Sequence, residues 1–522
     1  MKVIIRCLFS FMGLVFLLSC QSKEKKNKVK EESIEATEVA ILPNTEAYRP
    51  QYHFTPPEKW MNDPNGLVYH QGIYHLFYQY YPDDIVWGPM HWGHATSKDL
   101  LHWEHKPIAL FPDKNGYIFS GSAVIDTENT SGFGTKENPP LVAIFTYHDI
   151  DGEKAGKTDF QTQGIAYSLD NGETFTVYEG NPIIGNDGIK DFRDPKVFWN
   201  EKANNWTMLL VAGDHLQIWQ SDTLISWKKV SEFGKNQGAH GGVWECPDLF
   251  PLKVAGEAKE QWVLLISINP GAPNGGSGTQ YFIGDFDGTT FTSTQEEDRW
   301  LDWGTDNYAG VTYNNTPDGK RIFIGWMSNW SYARDTPTEK WRSAMTIPRE
   351  LSLEKINEQY ELINYPITGL KKVLKSSNSF KANPIYSVAG LNISQSEIVF
   401  TTASRDFELS FTNPKEDRLK LLFDGANKQV VLDRATSGKT DFQEDFAKEN
   451  QLMPIKNLPE GAVEVRILMD WSSIEVFINK GQYVMTSQIF PNEHYTNLNF
   501  HQRGEEPVEV KNLEIREIES VW

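Results

Sequence analysis

Three acidic residues stand in nearly the same surroundings although they are far apart in the chain. Asp63 lies in Asn62-Asp63-Pro64, Asp194 in Arg193-Asp194-Pro195 and Glu245 in Glu245-Cys246-Pro247, each just ahead of an alternating apolar stretch. They are separated by 131 and 51 residues. Carboxyl groups gathered at one point can divide labour, a protonated one supplying a proton while an ionised one attacks or stabilises positive charge. Any single Asp-Pro or Glu-Cys-Pro reads equally well as a turn initiator. That reading explains three in register poorly, and Ser120-Gly121-Ser122 and Tyr308-Ala309-Gly310 extend the set to five.

Such groups need elements that bring distant segments together. From Tyr52 to about Glu350 the chain is a series of short aromatic and β-branched runs broken by Gly, Pro, Asn and Asp, without helical periodicity, and it reads as all-β. Five runs recur, Ile73–Gln79, Leu141–Tyr147, Trp206–Val211, Trp262–Ile266 and Arg321–Trp326, with starts 68, 65, 56 and 59 residues apart. A loose period of this size suits the four-stranded blades of a five-bladed β-propeller. Equivalent blades would carry the five motifs on their innermost strands and aim them at the axis. Further on, Phe407–Phe411, Leu419–Phe423, Val463–Ile467 and Ile474–Ile478 alternate with period two and predict a C-terminal β-sandwich. The expected organisation is a propeller over 46–355, a linker over 356–379 and a sandwich over 380–522.

The 522 residues carry net charge −20 and are 13% aromatic. The negative balance repels phosphate backbones and argues against a nucleic-acid partner. The rings suit stacking on an uncharged ligand, although most large aromatics serve cores. At the N-terminus Lys2 and Arg6, the apolar run Cys7–Leu18 and small Ser19 form the layout of an export signal over 1–19, too short to span a bilayer comfortably. Leu17-Leu18-Ser19-Cys20 resembles the lipobox of bacterial lipoproteins, which implies cleavage before Cys20, acylation of its thiol and attachment to a membrane; an ordinary signal cleaved nearby is the plainer alternative. Residues 20–45 alternate Lys and Glu and read as a disordered tether.

With Cys7 removed and Cys20 acylated, Cys246 is the one thiol left, so no intramolecular disulfide can form. No histidine lies in a partner motif for it, and it reads as a small buried neighbour of Glu245 rather than a nucleophile. No His-Glu-x-x-His or Cys/His cluster points to a metal, and no cofactor is implied. The Gly-rich run Pro270–Gly278 lacks the Gly-Lys-Ser/Thr of a phosphate cradle and reads as a loop near the site.

Trp60–Gly66, Phe119–Ser122, Arg193–Pro195, Glu245–Pro247 and Pro348–Glu350 resemble glycoside hydrolase family 32, the family of invertases, inulinases and levanases. Asp470–Phe477 resembles that family's C-terminal sandwich, and the resemblance runs from about Tyr52 to the C-terminus. It implies an active site in the axial funnel of a five-bladed propeller, with Asp63 as nucleophile, Glu245 as acid/base and Asp194 as a third acid that accepts hydrogen bonds from a bound fructosyl unit. A retaining double displacement follows, with Asp63 and Glu245 roughly 5 to 5.5 Å apart because no water must fit between them. Arg193 reads both as an ion-pair partner that keeps a carboxylate charged and as a substrate contact. Crowding by the other acids and partial desolvation would keep Glu245 protonated. The resemblance points to Asn62, Gln79, Trp87, Phe119, Ser120 and Trp330 as sugar-binding residues, amides and hydroxyls for sugar hydroxyls and rings for the C–H face of a furanose. Tyr81 after Tyr80 departs from the family's usual Asn before Pro.

The implied activity is release of terminal β-D-fructofuranosyl units from fructans, levan or inulin, and from sucrose, by an exported, membrane-anchored protein. One alternative is an endo-acting levanase with an open cleft. Another is a non-catalytic fructan-binding surface protein, which predicts loss of at least one acid, yet Asp63, Asp194 and Glu245 are all present. Nothing in the sequence sets the oligomeric state.

Overall fold

The computed structural model describes residues 46–380, 387–504 and 507–522; the expected signal, Cys20 and the tether lie outside the described residues. Five sheets succeed one another along the chain and form the propeller, antiparallel except where Trp341–Arg342 returns to pair in parallel with Lys59–Trp60 of the first. The five recurrent apolar runs become the second strand of each sheet, Ile73–Tyr81, Leu141–His148, Asn205–Ala212, Glu260–Asn269 and Arg321–Met327. Leu141–His148 is buried at every residue, because neighbouring blades cover both faces of its sheet, and so it reads as an unbroken apolar run.

Each second strand pairs with an innermost strand that carries one polar motif: Lys59–His70, Tyr117–Ile125, Phe192–Asn200, Val243–Lys253 and Tyr308–Thr312. Polar contacts join these strands around the axis. Gly121 N donates to Asn65 Oδ1 at 3.0 Å, Ser122 Oγ to Pro195 O at 2.9 Å, and Lys196 pairs with Asp248 at 3.1 Å. The Thr312 amide donates to Asp248 at 2.6 Å, and Asn314 N to Leu67 O at 2.9 Å, which closes the ring. Gly121 also packs closely on its own blade's second strand: a Cβ there would lie 2.0 Å from Ile144 O, so no larger residue fits.

The fifth blade ends in a hairpin of Arg349–Ile356 and Gln359–Pro366. The expected boundary at 355 therefore falls inside a blade, and the connection to the sandwich starts after Pro366 with the 3-10 helix Thr368–Val373. Gln359–Pro366 is an outermost strand, and its solvent-facing residues dilute the apolar pattern that marks the inner ones.

The sandwich holds two six-stranded sheets. Arg418–Asp424 alternates buried and half-buried residues, the period two read from its sequence. Phe407, Leu409 and Phe411 of one sheet and Val465, Ile467 and Val476 of the other belong to one buried core. Each large side chain so buried is worth roughly 1.5–3 kcal/mol. Buried charges join sandwich to propeller. Arg349 lies 2.9 Å from Asp302 and 3.3 Å from Glu475, His53 Nδ1 lies 2.8 Å from Asp470, and Arg434 lies 2.9 Å from Asp306. The Pro348–Glu350 motif thus serves this junction.

Candidate active site

Each innermost strand is interrupted at the same place. Between Met61 and Pro64, Ile118 and Gly121, Arg193 and Lys196, Glu245 and Asp248, and Tyr308 and Val311, it takes three steps where its neighbour takes two. Such a bulge adds one residue and re-aims side chains that would otherwise alternate between faces. Asp194, Cys246 and Ala309 hold equivalent positions in their bulges and share positive φ values of 62°, 44° and 52°. That conformation costs roughly 1–2 kcal/mol per non-glycine residue. Hydrogen bonds hold it, from Asp194 N to Thr146 Oγ1 and from Cys246 N to Asp194 Oδ2, both at 3.0 Å. Counted along the common bulge, Glu245 is first, Asp194 second and Asp63 third, which offsets the three acids as they approach from different blades.

The bulges open into a pocket of about 480 Å³. All ten residues singled out for chemistry or sugar binding, Asn62, Asp63, Gln79, Trp87, Phe119, Ser120, Arg193, Asp194, Glu245 and Trp330, line it. Asp63 accepts from Ser120 Oγ at 2.6 Å and from Asn62 Nδ2 at 3.0 Å, and Asn62 is held in turn by Trp60 Nε1 at 2.7 Å. Arg193 donates to Asp191 at 2.8 Å and to Glu245 Oε1 at 2.9 Å. The Tyr308 hydroxyl, from the fifth blade, donates to Glu245 Oε2. The Cys246 sulfur sits 3.7 Å from Asp63 Oδ2 and 3.6 Å from Asp194 Oδ2.

Burial dominates the electrostatics. It raises the Asp63 pKa against the hydrogen bonds from Ser120 and Asn62. It pushes Asp194 up to about 7, opposed by Arg193 and aided by the charges of Glu245 and Asp63. Glu245 is raised by burial and by Asp63, while Arg193 and Tyr308 pull it down. The Arg193 cation withstands burial because Glu245, Asp194 and Asp191 surround it. Burial and the nearby acids push the Cys246 thiol well up, so it stays protonated and is not a nucleophile at neutral pH.

Aromatic residues form the walls. Trp87 meets Phe119 edge-on at 6.1 Å, Phe119 stacks on His148 at 4.2 Å, and Trp330 stacks on Trp60 at 5.9 Å. The Gly-rich run helps seat Trp330, whose backbone N donates to Ser277 Oγ at 3.2 Å. Gln79 Nε2 is buried without a hydrogen-bond partner, a donor left free toward the pocket. Sequence reasoning missed His148, Glu153, Asp191, Val243, Asn269 and Arg334, which also line the pocket. His148 and Asn269 close the second strands of their blades, a position that strand register could have flagged.

Comparison with known proteins places this geometry in a family. Residues 53–366 match the glycosyl hydrolases family 32 N-terminal domain and residues 367–517 the family 32 C terminal. The chain is 46% identical over 493 residues to a levanase of Bacillus subtilis, covering 91% of this chain and 71% of the relative. It is 41% identical over 522 residues to the extracellular exo-inulinase of Aspergillus ficuum, covering 91% and 95%. The crystal structure of an exo-inulinase from Aspergillus awamori superposes with a TM-score of 0.85 at 38% identity, covering 92% of this chain and all of that one. With both halves matched in order and the junction between them falling where the fifth blade ends, the chain belongs to glycosyl hydrolase family 32.

Proposed function

We propose that this chain is a fructan β-fructosidase that releases terminal fructofuranosyl units from levan and inulin, and cleaves sucrose, by double displacement with retention. The reading rests on the meeting of Asp63, Asp194 and Glu245 in one pocket, with Arg193 and Tyr308 on Glu245. Relatives named levanase and exo-inulinase support the substrate class. Asp63 attacks the anomeric carbon while Glu245 gives its proton to the departing oxygen, leaving a fructosyl ester on Asp63. Water then attacks that ester as Glu245 takes a proton back, and both groups return to their starting state. Asp194 accepts hydrogen bonds from ring hydroxyls, and Gln79 Nε2 finds in a hydroxyl the acceptor that the protein does not provide. Trp87, Phe119 and Trp330 cover the sugar's C–H surface.

A pocket of about 480 Å³ suits the end of a chain, which favours exo action. Sizing the early products of levan and inulin digestion tests this: fructose alone supports it, and early oligosaccharides would replace it with endo action. Turnover of sucrose or levan by the unmodified protein decides between enzyme and binder, and turnover unchanged by Asp63→Asn would reject the nucleophile. We extend the proposal to export with acylation at Cys20. Among the described residues no helix is long and apolar enough to cross a membrane. Cys20→Ser should release the protein from membranes and abolish its labelling by fatty acid.

A further inference from the structure

Each second strand runs antiparallel to an innermost strand that bears its polar motif near its start, so the connections from second to third strands surround the mouth of the active pocket. These connections differ in length. Residues 213–215 make a bare turn in the third blade, whereas 149–160 in the second and 328–348 in the fifth are long. The two long ones bring Glu153 and Arg334 to the pocket, and in a ring of five no two blades lie further apart than the second and the fifth. Both side chains are exposed, while Asn62, Gln79 and Asp194 on the pocket floor are 3%, 2% and 5% exposed. A terminal sugar seated on that floor leaves whatever lies beyond the cleaved bond at the level of this rim. Neither rim group is fully engaged by the protein. Among the described residues the Arg334 guanidinium makes no ion pair or hydrogen bond; it lies 5.7 Å over the Trp330 ring, which orients it and leaves its N–H donors free. Glu153 sets Oε2 3.1 Å from His148 Nε2, and His148 is fixed by Gln161 at 3.2 Å and by stacking on Phe119, so Oε1 is free to accept.

We propose that Arg334 and Glu153 grip the sugar on the leaving side of the cleaved bond and so determine which leaving groups are accepted; the inference rests on the functional reading above. The guanidinium presents parallel N–H groups to two neighbouring hydroxyls, and the carboxylate accepts from another hydroxyl across the mouth. Five acidic side chains face two arginines on the pocket lining, which disfavours an anionic leaving group and selects an uncharged sugar. Contacts to the leaving sugar hold it while its bond to the transferred unit breaks, and they therefore act on kcat/KM.

The test uses the full chain and three fructosides that share the transferred unit: sucrose, inulobiose and methyl β-D-fructofuranoside, whose leaving methanol is too small to reach the rim. Arg334→Ala and Glu153→Ala should each lower kcat/KM for sucrose and inulobiose roughly tenfold more than for the methyl fructoside, the effect of losing about one hydrogen bond to a charged group. Arg334→Lys keeps the charge without the fork of donors and should fall between the parent and Arg334→Ala. Both residues are exposed, so their truncation opens no cavity in the core. A loss of equal size on all three substrates would mean that the residue only props Trp330 or His148 and would overturn its assignment, as would no loss on any of them; either result leaves the enzyme itself intact. An unmodified protein that cleaves none of the three defeats the functional reading, and the leaving-group contacts fall with it.

Discussion

Arg193 Nη2 lies 2.9 Å from Glu245 Oε1, so the proposed proton donor sits in an ion pair before substrate arrives. Burial and Asp63 raise the Glu245 pKa, while Arg193 and the Tyr308 hydroxyl lower it. Tyr308→Phe removes one of the two hydrogen bonds that favour the carboxylate. The alkaline limb of kcat/KM, assigned to Glu245, should then move up by roughly one unit, the worth of a hydrogen bond to a charged group. A pH profile identical to that of the unmodified protein would separate Tyr308 from the acid.

Asp63→Asn and Glu245→Gln should each lower sucrose turnover roughly 10³-fold or more. They should part company on a fructoside with an activated leaving group. Glu245→Gln recovers formation of the fructosyl intermediate there, because departure no longer needs a proton, and loses its alkaline limb. Asp63→Asn recovers nothing. Equal behaviour of the two variants on the activated substrate would remove the division of roles.

Asp194 is a site where function costs stability. Its pKa rises from 3.8 in the free carboxyl to about 7 in the fold, chiefly through burial. Below pH 3.8 it is protonated folded or unfolded and has no effect. As pH climbs toward 7 the folded state keeps the proton that the unfolded state has lost, so stability falls, by an amount on the order of a few kcal/mol, and stays reduced above pH 7. Asp194→Asn should therefore melt higher than the parent at pH 7.5, melt with it near pH 3.5, and have lost turnover. Thermal melts at the two pH values check this, and equal melting temperatures at pH 7.5 would contradict it.

The blades were legible because Ile73–Gln79, Leu141–Tyr147 and their counterparts are second strands walled in on both faces, and burial leaves an apolar signature. The acids were legible because each sits in a bulge just before such a run. Tyr308 was seen only as the fifth motif, since its meeting with Glu245, 63 residues earlier, depends on how the fourth and fifth blades pack and not on a local pattern. Arg334 reaches the pocket from a loop that no period encodes, and its cation lies 5.7 Å over the Trp330 ring. Gln359–Pro366 passed for a linker because an outermost strand shows solvent half of its residues. Arg349 belongs to a recognisable motif, yet its task, pairing with Asp302 and Glu475, becomes visible only once the sandwich is docked.

The junction between propeller and sandwich should itself be sensitive to pH through His53. Burial alone would strip its proton, but Asp470 at 2.8 Å and Glu475 at 3.4 Å outweigh it and raise its pKa from 6.5 to about 9. The unfolded chain releases this proton near pH 6.5 and the folded chain only near 9. The stabilisation, roughly 3 kcal/mol, is thus fully present below pH 6.5 and disappears as pH rises through 9. His53→Gln, which keeps a hydrogen-bond donor but no charge, should lower the melting temperature most below pH 6.5. The gap to the parent should narrow as pH approaches 9, because the parent's histidine is then losing its charge as well. His53 lies outside the active pocket, so kcat/KM for sucrose at a temperature well below melting should match the parent. A gap in melting temperature that stays constant from pH 6 to 9.5 would show that His53 does not carry the charge at this junction.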